Sequence, residues 1–191
     1  MLMAGHYNKV HLNIGQKIWM ISKVLKKFLI IELECVALHL KVNGQKRLKK
    51  NSKFIYLISP EKINKNFFND LENILKTKKI SFFQLRLKKE KIKKIIIYGK
   101  KIKKICKKFN VKLIVNDSPK LTKIIKADGC HLGQSDGSIS DARMILKNKI
   151  IGITCHNSKE LIKKAIIDRP NYIAIGAFFN SKTKKIKYKA S

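Results

Sequence analysis

Ala127-Asp128-Gly129-Cys130-His131-Leu132-Gly133-Gln134-Ser135-Asp136 holds the reading that decides the fold: a short apolar run, Gly129–Leu132, opening directly into a polar turn that carries an acid. The run is too short for a helix and is bounded by turn residues, so it reads as a buried strand. Outward in both directions the same unit recurs. Strands are expected at Phe54–Ile58, Ile80–Leu85, Lys112–Val115, Gly129–Leu132, Ile150–Thr154 and Tyr172–Ile175. Between them lie Lys-rich runs of helical period at about Lys65–Thr77, Lys91–Phe109, Pro119–Ala127, Ser140–Leu146 and Lys159–Ile167. Strict alternation of strand and helix implies parallel strands joined by right-handed crossovers, and hence an α/β sheet or barrel.

The rest of the chain reads differently. Residues 1–51 carry no motif and end in the basic, polar run Asn43–Asn51, a linker by composition, which sets a domain boundary near residue 52. Within this extension Ile14–Leu40 could form one amphipathic helix or a helical hairpin. It is interrupted by Lys23, Lys26, Lys27, Glu32 and Glu34, so it does not read as a membrane span, and the N-terminus lacks the apolar core of a signal peptide. A cytoplasmic protein is expected.

Charge invites a nucleic-acid or anionic-membrane partner. The 191 residues hold 44 Lys+Arg against 12 Asp+Glu, a formal net charge of +32. Only Arg47, Arg86, Arg143 and Arg169 are arginines, whereas bidentate readout of bases and phosphates leans on Arg. The remaining cations are Lys, accompanied by many Ile and Asn, residue types that share A/T-rich codons. Coding bias therefore accounts for most of the charge, and neither nucleic acid nor membrane is expected as a partner. At 45% hydrophobic the chain can build a core, and its four cysteines (Cys35, Cys106, Cys130, Cys155) lie too far apart for a disulfide scaffold.

Parallel α/β folds place working residues in the loops after the strands. After strand two stands Gln84-Leu85-Arg86-Leu87-Lys88, in which alternate side chains share a face, so Gln84, Arg86 and Lys88 form a donor-rich comb suited to a diphosphate. After strand three comes Asn116-Asp117, and after strand four, Asp136. Each acid alone suits a turn or a helix cap; together, facing a basic comb, they suit Mg²⁺, which takes a few hard oxygens from protein and the rest from water and substrate. Thr154 ends strand five. After strand six, Ser181, Thr183 and Lys184 offer two hydroxyls and a cation, enough for one phosphate. Cys155 and His156, with His131 nearby, lack a third orienting or ligating group. Core packing for the cysteines and polar contacts for the histidines are expected instead.

With Tyr56-Leu57-Ile58, Gln84 to Lys88, Val115-Asn116-Asp117, Ala127 to Asp136, Ile151-Gly152-Ile153-Thr154 and Tyr172 to Gly176 in that order, residues 54 to about 185 resemble thiamine phosphate synthase, a (β/α)₈-barrel (TIM-barrel) family. The resemblance implies an Mg²⁺-dependent transferase of two small-molecule substrates. It joins 4-amino-2-methyl-5-hydroxymethylpyrimidine diphosphate to thiazole phosphate, giving thiamine phosphate and pyrophosphate. It implies that Gln84, Arg86, Lys88 and Asn116 hold the pyrimidine diphosphate, with Asp117 and Asp136 on the metal. Thr154 falls where the family usually has Ser, near the pyrimidine. Ser181 and Thr183 fall on the pair that grips the thiazole phosphate, with Ser for the usual Thr, and Lys184 on the lysine that meets the diphosphate. Arg86, Lys88 and Lys184 then carry catalysis by stabilising charge on the departing group.

The family barrel has two further strands, so this chain, ending at Ser191, is expected to be truncated after strand six: a fragment, a frameshifted reading or an inactive remnant. In the last motif Ala177, Asn180 and Lys182 replace the usual Pro positions. Two other readings stand beside the synthase: a thiazole tautomerase of the same superfamily, and a basic RNA- or membrane-surface-binding protein. The tautomerase would not need the diphosphate comb, both acids and Lys184. A homo-oligomer is compatible with the sequence.

Overall fold

The computed structural model describes residues 29–33 and 54–175. In chain order the elements are β1 (Leu29–Leu33), β2 (Phe54–Ile58), α1 (Phe67–Leu75), β3 (Ile80–Leu85), α2 (Ile92–Lys108), β4 (Lys112–Asn116), α3 (Pro119–Ile125), β5 (Gly129–Leu132), α4 (Ile139–Leu146), β6 (Ile150–His156), α5 (Lys159–Asp168) and β7 (Tyr172–Ile175). The six strands expected from the sequence stand where they were read, β4 and β6 running one and two residues further.

One sheet holds all seven strands in sequential order, β1 to β7. β2 to β7 pair in parallel, and each new strand adds on the same side of the last. A doubly wound sheet would reverse direction partway; a barrel does not. The described residues are thus six consecutive strands of a TIM-barrel-like α/β fold.

Side-chain alternation sorts the strand residues between two cores. Leu57, Phe83, Leu85, Leu113 and Val115 pack outward against Phe67, Leu71 and Leu75 of α1 and Ile102, Ile105 and Cys106 of α2. Further along, Cys130, Leu132, Ile151, Ile153 and Cys155 pack with Ile139, Ala142 and Leu146 of α4 and Ala165 of α5. The opposite face carries Tyr56, Ile58 and Ile114, against which Phe82, Ile150 and Tyr172 pack. That inner face also carries the polar residues of the site at its upper end.

Serine caps make the strand-to-helix turns short. Ser118, Ser138 and Ser158 each accept a backbone N–H of the first helical turn, from Leu121, Asp141 and Leu161 respectively, and Pro119 occupies the first turn of α3, where no donor is needed. Asp128 braces the layers: its carboxylate accepts Lys103 Nζ of α2 at 2.6 Å and the Leu113 N–H of β4 at 2.8 Å.

One expectation fails within the N-terminal extension. Leu29–Leu33 is a strand rather than part of a helix, paired antiparallel to β2 with Leu29 opposite Ile58 and Leu33 opposite Phe54. The reason is tertiary: β2 has an open edge of backbone donors and acceptors, and the segment Leu-Ile-Ile-Glu-Leu is apolar except for Glu32 and partly β-branched. The remainder of the Ile14–Leu40 reading, the linker and Cys35 lie outside the described residues.

Candidate active site

The carboxyl ends of β3, β4, β5 and β6 bring most of the expected residues to one rim. Gln84 is 3% exposed, and its amide donates to Oδ1 of Asn116 on the neighbouring strand. Both side chains are thereby held in one orientation, facing the interior. Beyond them the Lys88 ammonium lies 3.0 Å from Asp117 Oδ2, and the Asp136 carboxyl is a neighbour of the same Asp117 carboxyl. Asp136 itself is fixed by the Gly133 N–H, 2.8 Å from its Oδ2. The half-buried Arg86 guanidinium meets no partner among the described residues.

Asp117 sits in strained backbone. Its φ is +64°, in the left-handed region, and Ser118 N–H reaches back to the Asn116 carbonyl at 2.8 Å across it. The Asp117 N–H donates to the His131 carbonyl at 2.7 Å, which ties this turn to β5. Strain of this kind persists only where surrounding bonds over-determine it, and it aims the carboxylate at the rim. Ser118, capping α3 immediately afterwards, is one of those bonds. Ser118→Ala should cost about 1 kcal/mol in denaturant unfolding, in line with other lost caps.

Electrostatically the acid pair is uncomfortable without a cation. Burial, then the hydrogen bond to Asp136, raises the Asp117 carboxyl above its usual range, and Lys88 opposes this only in part. Two hard oxygen donors from adjacent loops, held together against their own repulsion, fit a divalent cation that keeps water and substrate oxygens as its other ligands.

Two features of the rim were not singled out from sequence. Ser59 joins β2 to the comb: its Oγ accepts the Arg86 N–H at 2.9 Å, and its own N–H donates to the Gln84 carbonyl at 2.9 Å. A serine ending an apolar strand before Pro60 is the only signal it gives. The second is a buried polar line across the inner face, Tyr56 to Tyr172 to His131 to Thr154. Alternation puts Tyr56, His131, Thr154 and Tyr172 on the inner face but does not say which of them meet.

Both ring nitrogens of His131 are engaged in polar contacts, Nδ1 with Tyr172 and Nε2 with Thr154. Burial pushes its imidazole down to about 4. Because the folded value lies below the unfolded one near 6.5, this contribution to stability is present above pH 6.5 and is lost as pH falls through the window toward 4. Between pH 7 and 5 it should remove about 2 kcal/mol of unfolding free energy. Denaturant titrations at the two pH values, repeated for His131→Gln, measure it as the difference between the chains. Cys106, Cys130 and Cys155 are buried free thiols, and burial lifts Cys106 and Cys130 to about 12, so none is an activated nucleophile.

The expected third group, Ser181, Thr183 and Lys184, lies outside the described residues. What the described part defines is a class: a (β/α)-barrel enzyme with a charged, polar rim at the carboxyl ends of its strands.

Comparison with known proteins narrows the class. The sequence profile of the family described as thiamine monophosphate synthase matches residues 55–190. A thiamine-phosphate synthase of Pelagibacter ubique is 60% identical over 147 residues, 76% of this chain and 71% of that protein. The enzyme of the same name from Saccharophagus degradans is 42% identical over 106 residues, 55% of this chain and 49% of that protein. That from Erythrobacter litoralis is 40% identical over 133 residues, 68% and 62% of the two chains. The chain thus spans from about half to seven tenths of the length of these relatives. A solved structure, the thiamine phosphate pyrophosphorylase from Pyrococcus furiosus, superposes with a TM-score of 0.56 at 24% identity, covering 60% of this chain and 56% of that one; the likeness is one of fold. The chain belongs to the thiamine monophosphate synthase family, whose synthases are transferases.

Proposed function

We propose that the chain catalyses the synthase reaction, joining 4-amino-2-methyl-5-hydroxymethylpyrimidine diphosphate to thiazole phosphate with release of pyrophosphate. The single observation that carries this reading is the juxtaposition at the rim: Lys88 on Asp117, Asp117 against Asp136, and, at the end of the same strand as Lys88, an Arg86 guanidinium that meets no partner among the described residues. Alternating cations and acids of this kind meet a diphosphate bound with a divalent metal.

In this reading Gln84, Arg86, Lys88 and Asn116 grip the pyrimidine diphosphate, with Thr154 near its ring. Gln84 and Asn116, locked to each other, orient the substrate, while the Arg86 fork and the Lys88 ammonium neutralise charge growing on the leaving pyrophosphate. Lys184 adds a third cation to that end, and Ser181 and Thr183 hold the thiazole phosphate. Asp117 and Asp136 would hold Mg²⁺, which when bound supplies further charge neutralisation at the diphosphate. As the carbon–oxygen bond breaks, a pyrimidine-methyl cation forms and the thiazole nitrogen supplies the new bond's electron pair. No protein nucleophile is required, and the high thiol values of Cys106 and Cys130 suit that.

The partners are then small molecules rather than nucleic acid or membrane, and the setting is cytoplasmic. Among the described residues no helix is long and apolar enough to cross a membrane. Residues 52–191 form the catalytic domain and 1–51 an extension to it, and assembly into a homo-oligomer is compatible with this arrangement.

Calorimetric binding of the pyrimidine diphosphate tests the reading. Affinity should rise with Mg²⁺ and fall on the order of tenfold or more in Arg86→Ala, since charge-assisted hydrogen bonds contribute about 1.5–3 kcal/mol each. Binding indifferent to both Mg²⁺ and Arg86 would contradict it.

A further inference from the structure

The polar line across the inner face has a direction, and counting protons sets it. Tyr56 Oη lies 2.8 Å from Tyr172 Oη, Tyr172 Oη lies 2.9 Å from His131 Nδ1, and His131 Nε2 lies 2.8 Å from Thr154 Oγ1. Tyr56 is 3% exposed, and among the described residues its hydroxyl has Tyr172 as its one partner. Burial raises both phenols, so each keeps its proton. A buried hydroxyl proton needs an acceptor, so Tyr56 donates to Tyr172. Tyr172 has one proton of its own, which must then go to Nδ1 of His131. With Nδ1 accepting, the ring proton sits on Nε2 and is donated to Thr154 Oγ1. The Thr154 proton is left over, on a half-buried side chain at the end of β6.

The opposite order fails at its far end. If Thr154 donated to Nε2, then Nδ1–H would donate to Tyr172, Tyr172 to Tyr56, and the Tyr56 proton would have no acceptor among the described residues. A doubly protonated ring fails too: Tyr172 would accept from both neighbours and its own proton would be stranded. The ring geometry holds the line in register. Tyr172 stacks on His131 with centroids 5.5 Å apart and planes at 22°, and Gly152 leaves the room its ring needs.

We propose that Tyr56, Tyr172 and His131 are positioning residues that turn the Thr154 proton away from His131, so that the hydroxyl donates a hydrogen bond to an acceptor atom of the substrate, a ring nitrogen or an oxygen. The inference rests on the proposed function in taking the pyrimidine as that substrate.

Nitrogen-15 shifts of histidine-labelled protein read the direction without substrate. His131→Gln identifies the signal among the five histidines. The intact chain should show one tautomer with Nε2 protonated and Nδ1 bare. Tyr56→Phe should keep it, because Tyr172 still donates to Nδ1; Tyr172→Phe, which retains the stacked ring but removes the donor, should give a mixture of tautomers. A wild-type ring protonated at Nδ1 would overturn the proposal. Kinetically, Tyr172→Phe should raise KM for the pyrimidine diphosphate about 3- to 10-fold with kcat little changed. In a Thr154→Val background it should add nothing, since it acts through the hydroxyl already removed; independent, multiplying effects would overturn the proposal. Lack of turnover in the wild-type chain would sink the synthase reading alone, with the tautomer still deciding this one.

Discussion

Asp117→Asn is expected to reduce thiamine phosphate formation by on the order of 10²- to 10³-fold while the melting temperature holds or rises. The two effects separate because the residue does two different things. Its carboxylate is pressed against Asp136, and burial with that contact raises it above the usual carboxylate range, so its charge opposes folding while it serves the rim. Asn deletes the charge and keeps the shape. It also tolerates the left-handed backbone at φ +64°, which Ala accommodates poorly. Asp117→Ala should abolish turnover equally but lose about 1 kcal/mol of stability as well. Thermal melts beside turnover measure this: a variant that melts well below wild type would mean the acid is there for structure, and one that keeps full activity would remove it from the mechanism.

Gly152→Ala should be strongly destabilising. A Cβ on Gly152 would stand 1.9 Å from Cζ of Tyr172 and within 2.4 Å of both ring carbons beside it, so the ring must leave its place. Displacing it breaks the bonds to Tyr56 and His131 and the stack on His131 together. Overpacking of this severity, with those losses added, is expected to cost roughly 3 kcal/mol in denaturant unfolding. Gly152→Ala, Tyr172→Ala should recover part of it, because the smaller side chain at 172 leaves the new methyl unopposed. No recovery would mean that the clash is not with Tyr172.

Much of this was legible before any coordinates. Short apolar runs broken by polar turns located β2 to β7, because strands covered on both faces must be apolar almost throughout. The rim followed from topology alone, since parallel strands carry all their outgoing loops to one end. Gln84, Lys88, Asn116, Asp117 and Asp136 do meet there. β1 was not legible: an apolar segment beside an open strand edge takes its structure from that edge and not from its own periodicity.

Of the described arginines, Arg86 and Arg143 serve different ends. The Arg86 guanidinium meets no partner among the described residues. Arg143 instead binds the carbonyls of Lys147 and Lys149, both at 2.7 Å, and the Asn171 side chain at 2.9 Å, closing the end of α4 onto β7. The Tyr56 to Thr154 line escaped the sequence because its members come from four strands up to 116 residues apart, and only the pairing register puts their hydroxyls and ring nitrogens in a row.

The central claim is that this rim joins a pyrimidine diphosphate to a thiazole phosphate. The measurement that bears on it most directly is thiamine phosphate formation by the purified chain with both substrates and Mg²⁺, beside Asp117→Asn. Product from the wild-type chain and little or none from the variant is the result the account predicts; soluble, folded wild-type protein that binds both substrates and makes no product would contradict it.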